Sequence, residues 1–296
     1  MTRQPTQRNA SPHSGGSQSV LLPLIGVAFA LLAVLYHWPW SAALLQQRDR
    51  AVFDEFHRQG RKTPARDDIV ILGVDEKSIS LKSAWSEDIE NSPALQAMKT
   101  RFPWPRRVWG MTIERLMNAG ARLVFLDFTF FAPTTPEDDQ ELRNVLKRYR
   151  GKVILGAQFS TKLDKKGLNK SKTDTISQIS FPDSSITGMD VPEDGSWGYL
   201  NYWPSEDDIV RLARYQTMRW KVEGGVPDPD DKPMPSVALA VARKLNVTAS
   251  AEVHEWESIR FAEKSSYAPA SLHEIFVQDF WKSNFGDGSV FKDKNV

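Results

Sequence analysis

Cysteine is absent from this 296-residue chain. That excludes a disulfide framework, a thiolate metal site and a cysteine nucleophile, and it suits an oxidising periplasm without requiring one. Histidine is scarce, and His13, His37, His57, His254 and His273 are scattered with no metal-ligand spacing. No metal or other cofactor is expected. An excess charge of one sign is missing too: the formal net charge is +1, so no global field recruits nucleic acid or acidic ligands. Bases and aromatics do alternate at Arg219, Trp220 and Lys221, but no stripe is long enough for nucleic acid, which is excluded as a partner. No internal repeat and no domain-scale linker interrupts the chain after its first 40 residues or so, which favours one main domain.

What stands out is Ser19 to Tyr36, SVLLPLIGVAFALLAVLY, an apolar run without a charge. Its length approaches the ~20 residues that an α-helix needs to cross the hydrocarbon core of a bilayer. Residues 1–18 before it are rich in Ser, Gln, Pro and Gly and read as a disordered cytoplasmic tail. Tyr36, Trp38 and Trp40 suit the outer edge of a span. A transmembrane helix over residues 19–38, in contact with membrane lipid, is therefore preferred to two rivals. One is a cleaved signal peptide, for which Ser41-Ala42-Ala43 is a weak cleavage site; the other is a buried soluble helix. Orientation is a tie, with Arg3 and Arg8 on one side and Arg48 and Arg50 on the other.

The remainder reads as α/β. A helix is expected from Trp40 to Arg61, then a buried strand from Ile69 to Val74 ending in Asp75. Lys82 to Thr100 is polar and unpatterned, a surface insertion. After the rigid FPWPRR (102–107) comes an amphipathic helix over Arg106 to Ala119, closed by Gly120. A second strand, Leu123 to Leu126, again ends in aspartate, Asp127. A helix over Pro136 to Arg150 has acids at its start and bases at its end, in accord with its dipole. A third strand covers Lys152 to Phe159. This β-α-β-α-β order predicts a mixed, mainly parallel sheet flanked by helices and preceded by the one N-terminal transmembrane helix. Beyond it, Thr161 to Ser180 reads as a loop, Gly198–Tyr202 and Ile209–Arg219 as strands around an acidic turn, and Gly224–Pro235 as a turn region. Ser236–Leu245 reads as a short helix, with a last strand at Ile259–Ala262 and a last helix at Phe276–Phe285.

Asp75 and Asp127 end the first and second expected strands, and parallel sheets place ligands outside the carboxyl ends of their strands. Together they are suited to Mg²⁺ binding or to acid–base work. The simpler reading is that both cap turns or accept backbone N–H bonds. LDFTF resembles half of a haloacid-dehalogenase nucleophile motif, but Thr129 replaces the second aspartate, and DEKS stands where a Gly-rich phosphate loop would follow the first strand. Trp104 with Arg106 and Arg107 suggests a cation–π or anion-binding patch, or else a fixed turn at the core edge. Arg211 follows Asp207 and Asp208 closely and is more suited to an ion pair than to a ligand. Asp75, Trp104, Arg106, Asp127 and Arg211 are the candidate ligand-binding residues; no catalytic or metal-ligating residue is singled out.

Taken together, DDIVILGVDEKSI, FPWPRRVWGMTIERLMNAGARLVFLDFTFFAP, GKVILGAQF, GYLNYWPSEDDIVRLARY, PSVALAVARKL, IRFA and FKDKNV resemble the CHASE domain of the second type. The resemblance covers most of residues 67–296. It implies an extracytoplasmic sensory domain of a bacterial receptor, tethered by an N-terminal span in the inner membrane. In the family such a domain is followed by further spans and an output such as a nucleotide cyclase, a kinase or a cyclic-dinucleotide enzyme. It implies no catalytic residues, and it breaks the orientation tie by placing residues 39–296 outside the membrane. Two departures accompany it. Asp208 stands where the family has glycine, and the chain stops at Lys294-Asn295-Val296, where the family leads into a buried closing strand. The domain is therefore expected to be truncated at its C-terminal end.

The expected function is non-enzymatic sensing of an unknown small-molecule ligand or signal, through altered packing or homodimerisation. The alternatives are a secreted or tethered metal-dependent hydrolase using Asp75 and Asp127, and a structural interaction domain.

Overall fold

In the computed structural model the described residues are 18–37, 39–60, 62–161, 176–188, 195–205, 207–223, 225–247, 256–259, 262 and 267–296. Apart from Gln18, the expected N-terminal tail lies outside them. They belong to two compact units, residues 1–62 and 63–296.

The first unit is helical. The apolar run forms α1, Gln18–His37, and α2 follows over Pro39–Gln59. Proline at the start of α2 lacks an N–H that the first helical turn would leave unpaired anyway. On α1 the side chains of residues 25–34 are described, and Ile25, Val27, Phe29, Leu31, Leu32 and Val34 are all exposed. Contiguous apolar exposure of this kind is unusual for a helix meant to stand in water. Among the described residues no helix is long and apolar enough to cross a membrane.

The second unit opens with the expected apolar strand region. Only β1, Leu72–Gly73, forms a regular ladder, preceded by a single parallel bridge at Ile69. Next come α3 (Glu76–Ser80), α4 (Ser86–Asn91) and α5 (Pro93–Met98). The surface insertion expected over 82–100 is thus corrected: Ala94, Leu95, Ala97 and Met98 of α5 are buried in the main core. A six-residue helix makes fewer than two turns and shows no readable period. Its start is nonetheless encoded, because the Ser92 hydroxyl accepts the Leu95 N–H at 3.3 Å and proline follows at once.

The middle of the unit follows the expected alternation, with α6 (Arg106–Asn118), β2 (Val124–Thr129), α7 (Pro136–Arg148) and β3 (Val153–Thr161). Residues 162–175 of the expected loop lie outside the described residues, but its end is a strand, β4 (Ile176–Ser180). Then come α8 (Ser184–Thr187) and β5 (Trp197–Tyr199). The long strand expected over 209–219 divides into β6 (Leu212–Arg214), β7 (Gln216–Thr217) and the start of α9 (Arg219–Glu223). β8 (Met234–Pro235) and α10 (Val237–Lys244) follow. The strand expected at 259–262 is displaced to β9 (Trp256–Ser258), with only a bridge from Ala262 to Thr63. The unit ends with β10 (Ala270–Ser271), a 3₁₀ turn (Leu272–Phe276), α11 (Gln278–Ser283) and a second 3₁₀ segment (Gly286–Phe291).

The architecture is mixed α/β with small sheets. β2 and β5 each pair parallel with β3, β4 pairs antiparallel with it, and β1 pairs parallel with β10. What joins these pieces is the end of the chain. Asn295 bridges Ile69 on one side and Leu123 on the other, parallel to both. The Asn295 N–H donates to the Asp68 carbonyl at 2.8 Å and its carbonyl accepts from Val70 at 2.9 Å; opposite, the Val296 N–H donates to Leu123 at 2.9 Å and its carbonyl accepts from Phe125 at 2.6 Å. Strand alternation sends Val124, Leu126, Val153 and Leu155 into the core beneath α6 and α7, while Leu123 and Ile154 pack on Ala240 of α10. Gly198 in β5 meets the first turn of α10, where a Cβ would lie 2.5 Å from the Val237 nitrogen.

One buried ion pair locks the layer of α6 and α7. Arg106, at the first position of α6, donates from Nη1 to Asp139 Oδ1 at 2.8 Å and to Ser185 Oγ at 3.2 Å, and from Nη2 to the Ala132 carbonyl. Both partners are 5% exposed at the side chain. Burial works against an ionised Asp139, but hydrogen bonds from the Thr134 hydroxyl and N–H and the Ser185 hydroxyl, with the Arg106 charge, hold its pKa below the ordinary value. Arg107, by contrast, is 43% exposed and pairs with Asp138 at 3.0 Å. We expect Arg106→Ala to cost about 3–5 kcal/mol, because it strands a buried carboxylate. Arg107→Ala should cost under about 1 kcal/mol, as for a half-exposed pair. Urea denaturation of both variants checks the contrast, and equal costs would contradict it.

Candidate functional site

An apolar cavity of about 530 Å³ lies between the two strand regions that the chain end joins. Its walls are residues 69–72 and 74 on one side and 123–128 on the other, and it ends against Asn295 and Val296. It reaches Trp109, Thr112 and Leu116 of α6 on one face and Ala238, Val241 and Leu245 of the α10 region on the other. A cavity on one face of a closed sheet touches one helical layer; this one passes through the plane of the sheet. Because alternate residues of a strand point their backbone groups to opposite sides, the next N–H groups along the two walls, on Leu72 and Asp127, face the gap. The slot has the apolar lining and the backbone pattern of a strand position.

Asp127 lines this slot and Asp75 does not. The Asp127 side chain is open to water yet ringed by apolar walls, and this desolvation raises its pKa. Among the described residues no group hydrogen-bonds its carboxylate.

Asp75 is turned away into a polar cluster. It caps α3, with Oδ1 accepting from the Ser78 N–H at 2.9 Å and the Ser78 hydroxyl at 2.8 Å, and Oδ2 accepting from the Ser271 hydroxyl at 2.5 Å. Burial opposes ionisation, but these donors outweigh it and bring the pKa down to about 2. Ser78 continues the chain of contacts to His273, which is fully buried: Ser78 Oγ lies 3.2 Å from Nδ1, and Ser83 Oγ lies 2.6 Å from Nε2. Since the Ser78 hydroxyl proton is used on Asp75, Ser78 accepts from Nδ1–H, and Nε2 in turn accepts from Ser83. The cluster ties β1, α3 and the 81–84 turn to β10 and the 3₁₀ turn after it. Nothing in the sequence pointed to His273, because its partners lie 195 and 190 residues away.

The other candidates do not converge on these two places. Trp104 is 3% exposed and packs edge-on against Phe102, with Trp109 at 5.9 Å. Arg106 lies over Phe130, not Trp104, and holds the ion pair described above. Arg211 is buried and grips Asp207 with two bonds of 2.8 and 2.7 Å. That hydrogen bonding, first among the causes, lowers the Asp207 pKa to about 2. Asp208 completes the turn at φ +60°, a conformation that glycine adopts freely and aspartate tolerates. No group of three or more His, Cys, Asp or Glu suited to a metal ion occurs among the described residues; of the five histidines, His13 and His254 lie outside them.

Comparison with known proteins identifies one family. The family model of the CHASE2 domain matches residues 27–296. No curated protein and no solved structure matches the chain.

The cluster around His273 has a definite pH signature. Burial depresses the His273 pKa below 6.5, against the carboxylates of Glu274 and Asp75 that raise it, while the Lys77 charge lowers it further. A histidine kept neutral in the fold contributes stability above its unfolded pKa and loses it as pH falls below about 6.5. Asp75, whose folded pKa is depressed, contributes above pH 3.8 and loses its part as pH falls towards 2. We expect melting temperature to fall between pH 7.5 and 5, and this slope to flatten in His273→Gln whatever that variant's starting stability. An unchanged slope in the variant would contradict the assignment.

Proposed function

This chain belongs to the CHASE2 family, and from that membership we propose that it is the membrane-anchored sensory domain of a bacterial signal-transduction receptor. CHASE2 is an extracytoplasmic sensory domain family. The match over residues 27–296 is the observation that carries the reading, since it spans the whole α/β unit and runs back into the apolar helix. In this reading residues 19–38 cross the inner membrane, residues 39–296 face away from the cytoplasm, and an output domain acts downstream. The apolar residues exposed along α1 support the anchor, because lipid would cover them.

The slot gives the reading a mechanical form. In register with Lys294–Val296, it has the backbone pattern of a strand seat. A strand there would be hydrogen-bonded on both edges and covered by helices on both faces. Any change in how residues 69–74 stand against β2 would then be felt directly by the segment that leaves the domain. A ligand signals only by preferring one such arrangement to another. The hydrolase alternative finds less support, since both Asp75 oxygens are engaged by hydroxyl and N–H donors and Asp127 is the one carboxylate among the described residues that line the slot.

Two experiments test these points. Alkaline phosphatase fused after Val296, which folds only outside the cytoplasm, should be active in cells, and a cytoplasmic reporter at the same junction silent; the reverse pattern would sink the topology. Extending the chain after Val296 by a six-residue apolar strand should raise the melting temperature by several degrees. A Gly/Ser extension of equal length should not. If both extensions act alike, the slot is not a strand seat.

A further inference from the structure

His273 is fully buried where α3, the turn over residues 81–84 and the 3₁₀ turn after β10 meet. Its two ring nitrogens are held unequally. On one side Nδ1–H donates to the Ser78 hydroxyl, whose own proton goes to Asp75, and Asp75 is fastened again by Ser271. On the other side Nε2 accepts from the Ser83 hydroxyl at 2.6 Å, and among the described residues Ser83 makes no other side-chain hydrogen bond.

A proton added to the ring therefore acts on one side only. An imidazolium donates from both nitrogens and accepts on neither. At Nε2 the new N–H would face the Ser83 O–H, donor against donor, so the hydroxyl has to turn its proton towards water. The Ser78 side is undisturbed, since Nδ1–H donates there already and the Asp75 carboxylate behind it supplies the countercharge.

The 81–84 turn is poised to respond. Leu81 sits at φ +51°, in the left-handed region that a side chain with a Cβ adopts at a cost. Two backbone bonds close the turn, from Leu81 N–H to the Lys77 carbonyl at 2.9 Å and from Ala84 N–H to the Leu81 carbonyl at 3.1 Å. Ser83 ties it by its side chain to the 3₁₀ turn. Ser83 is half-buried and Lys82 beside it is exposed, so a small opening brings water to Nε2.

The surroundings of the ring set the direction. Burial opposes the imidazolium most, Glu274 of the 3₁₀ turn and Asp75 at the cap of α3 favour it, and Lys77 of α3 opposes it. α11 presents the edge of the Phe280 ring, with centroids 6.4 Å apart. The 81–84 turn carries one charge, the exposed Lys82. Water admitted at Nε2 removes much of the burial and leaves both carboxylates in place. A ring that takes up a proton more readily when the turn is open favours the open form as pH falls through the ordinary histidine range.

We propose that His273 is a proton-operated latch: protonation at Nε2 releases the Ser83 clasp and opens the 81–84 turn, while the Ser78–Asp75 side stays fastened. Acidity outside the cytoplasm then becomes a signal the domain registers, and that part rests on the sensory reading. The latch itself belongs to residues 75–84 and 271–273 and stands without it.

The test uses the full chain in a non-ionic detergent at about pH 7.5 and about pH 5, on either side of the ordinary histidine value. Nitrogen NMR should show the His273 ring as the Nδ1–H tautomer at the higher pH. Protection of the Leu81 and Ala84 amides, each taken relative to its unstructured exchange rate at that pH, should fall about tenfold at the lower pH. The Val124 amide, bonded to the Lys152 carbonyl beside the β2–β3 ladder, should keep its protection. Ser83→Ala removes the clasp but not the histidine, and should leave the two turn amides poorly protected at both pH values. His273→Gln should abolish the pH dependence; where that variant does not fold, the parent profile and Ser83→Ala decide. Equal protection of Leu81 and Ala84 at both pH values in the parent, or an Nε2–H tautomer at the higher pH, would overturn the proposal. So would an equal loss at Val124, which would mean that acid loosens the whole unit. None of these outcomes bears on the reporter fusions, which test the topology separately.

Discussion

The second unit depends on a short zipper of backbone hydrogen bonds at the end of the chain. Lys294 to Val296 lie between residues 68–70 and 122–125 and bond to both. Strand region 69–74 and β2 are neighbours in sequence order but not in the ladder, so this segment is what makes them parts of one sheet. Two further contacts hold it there: Asn295 Nδ2 donates to Asp68 Oδ2 at 3.2 Å, and Asp68 is itself fixed by two 2.8 Å bonds from Arg66. A three-residue strand buries little by itself. Its weight comes from position, since paired backbone in a sheet centre cannot be replaced by water without opening the core.

The same feature organises the functional reading. The through-sheet slot continues the line of the segment that joins the sheet. On the far side of β1, the Asp75–Ser78–His273–Ser83 chain fastens the other edge. Residues 69–74 are therefore held on one side by backbone bonds to the chain end and on the other by a buried polar relay. A strand held this way has little regular ladder of its own beyond the two residues of β1 and depends on both neighbours for its place.

Much of the fold was readable because its central elements carry strong periods. α6, α7, β2 and β3 were placed within a few residues from apolar spacing, the Gly120 stop and the acid-to-base polarity of Pro136–Arg150. α5 was not, since six residues with a buried stripe cannot be told from an irregular insertion. β4 falls in a stretch that reads as a loop, and β6 and β9 differ from the expected strands, because strands of three to five residues at sheet margins are set by their partners more than by their own pattern. Both aspartates end expected strands, yet the sequence does not show that one is capped and the other lines the slot. That depends on Ser271 and His273, nearly 200 residues on. Nor could it show that Arg106 would prefer Asp139 to the ring of Trp104, which packs instead into the core.

Amide hydrogen exchange measures the central claim most directly. In the intact chain at neutral pH, the N–H groups of Val70, Phe125, Asn295 and Val296 should be protected together, to a level comparable with the β2–β3 ladder, and should open in one step. Solvent-like exchange at these four positions while the β2–β3 amides remain protected would show that the chain end does not join the sheet, and the account built on it would fall.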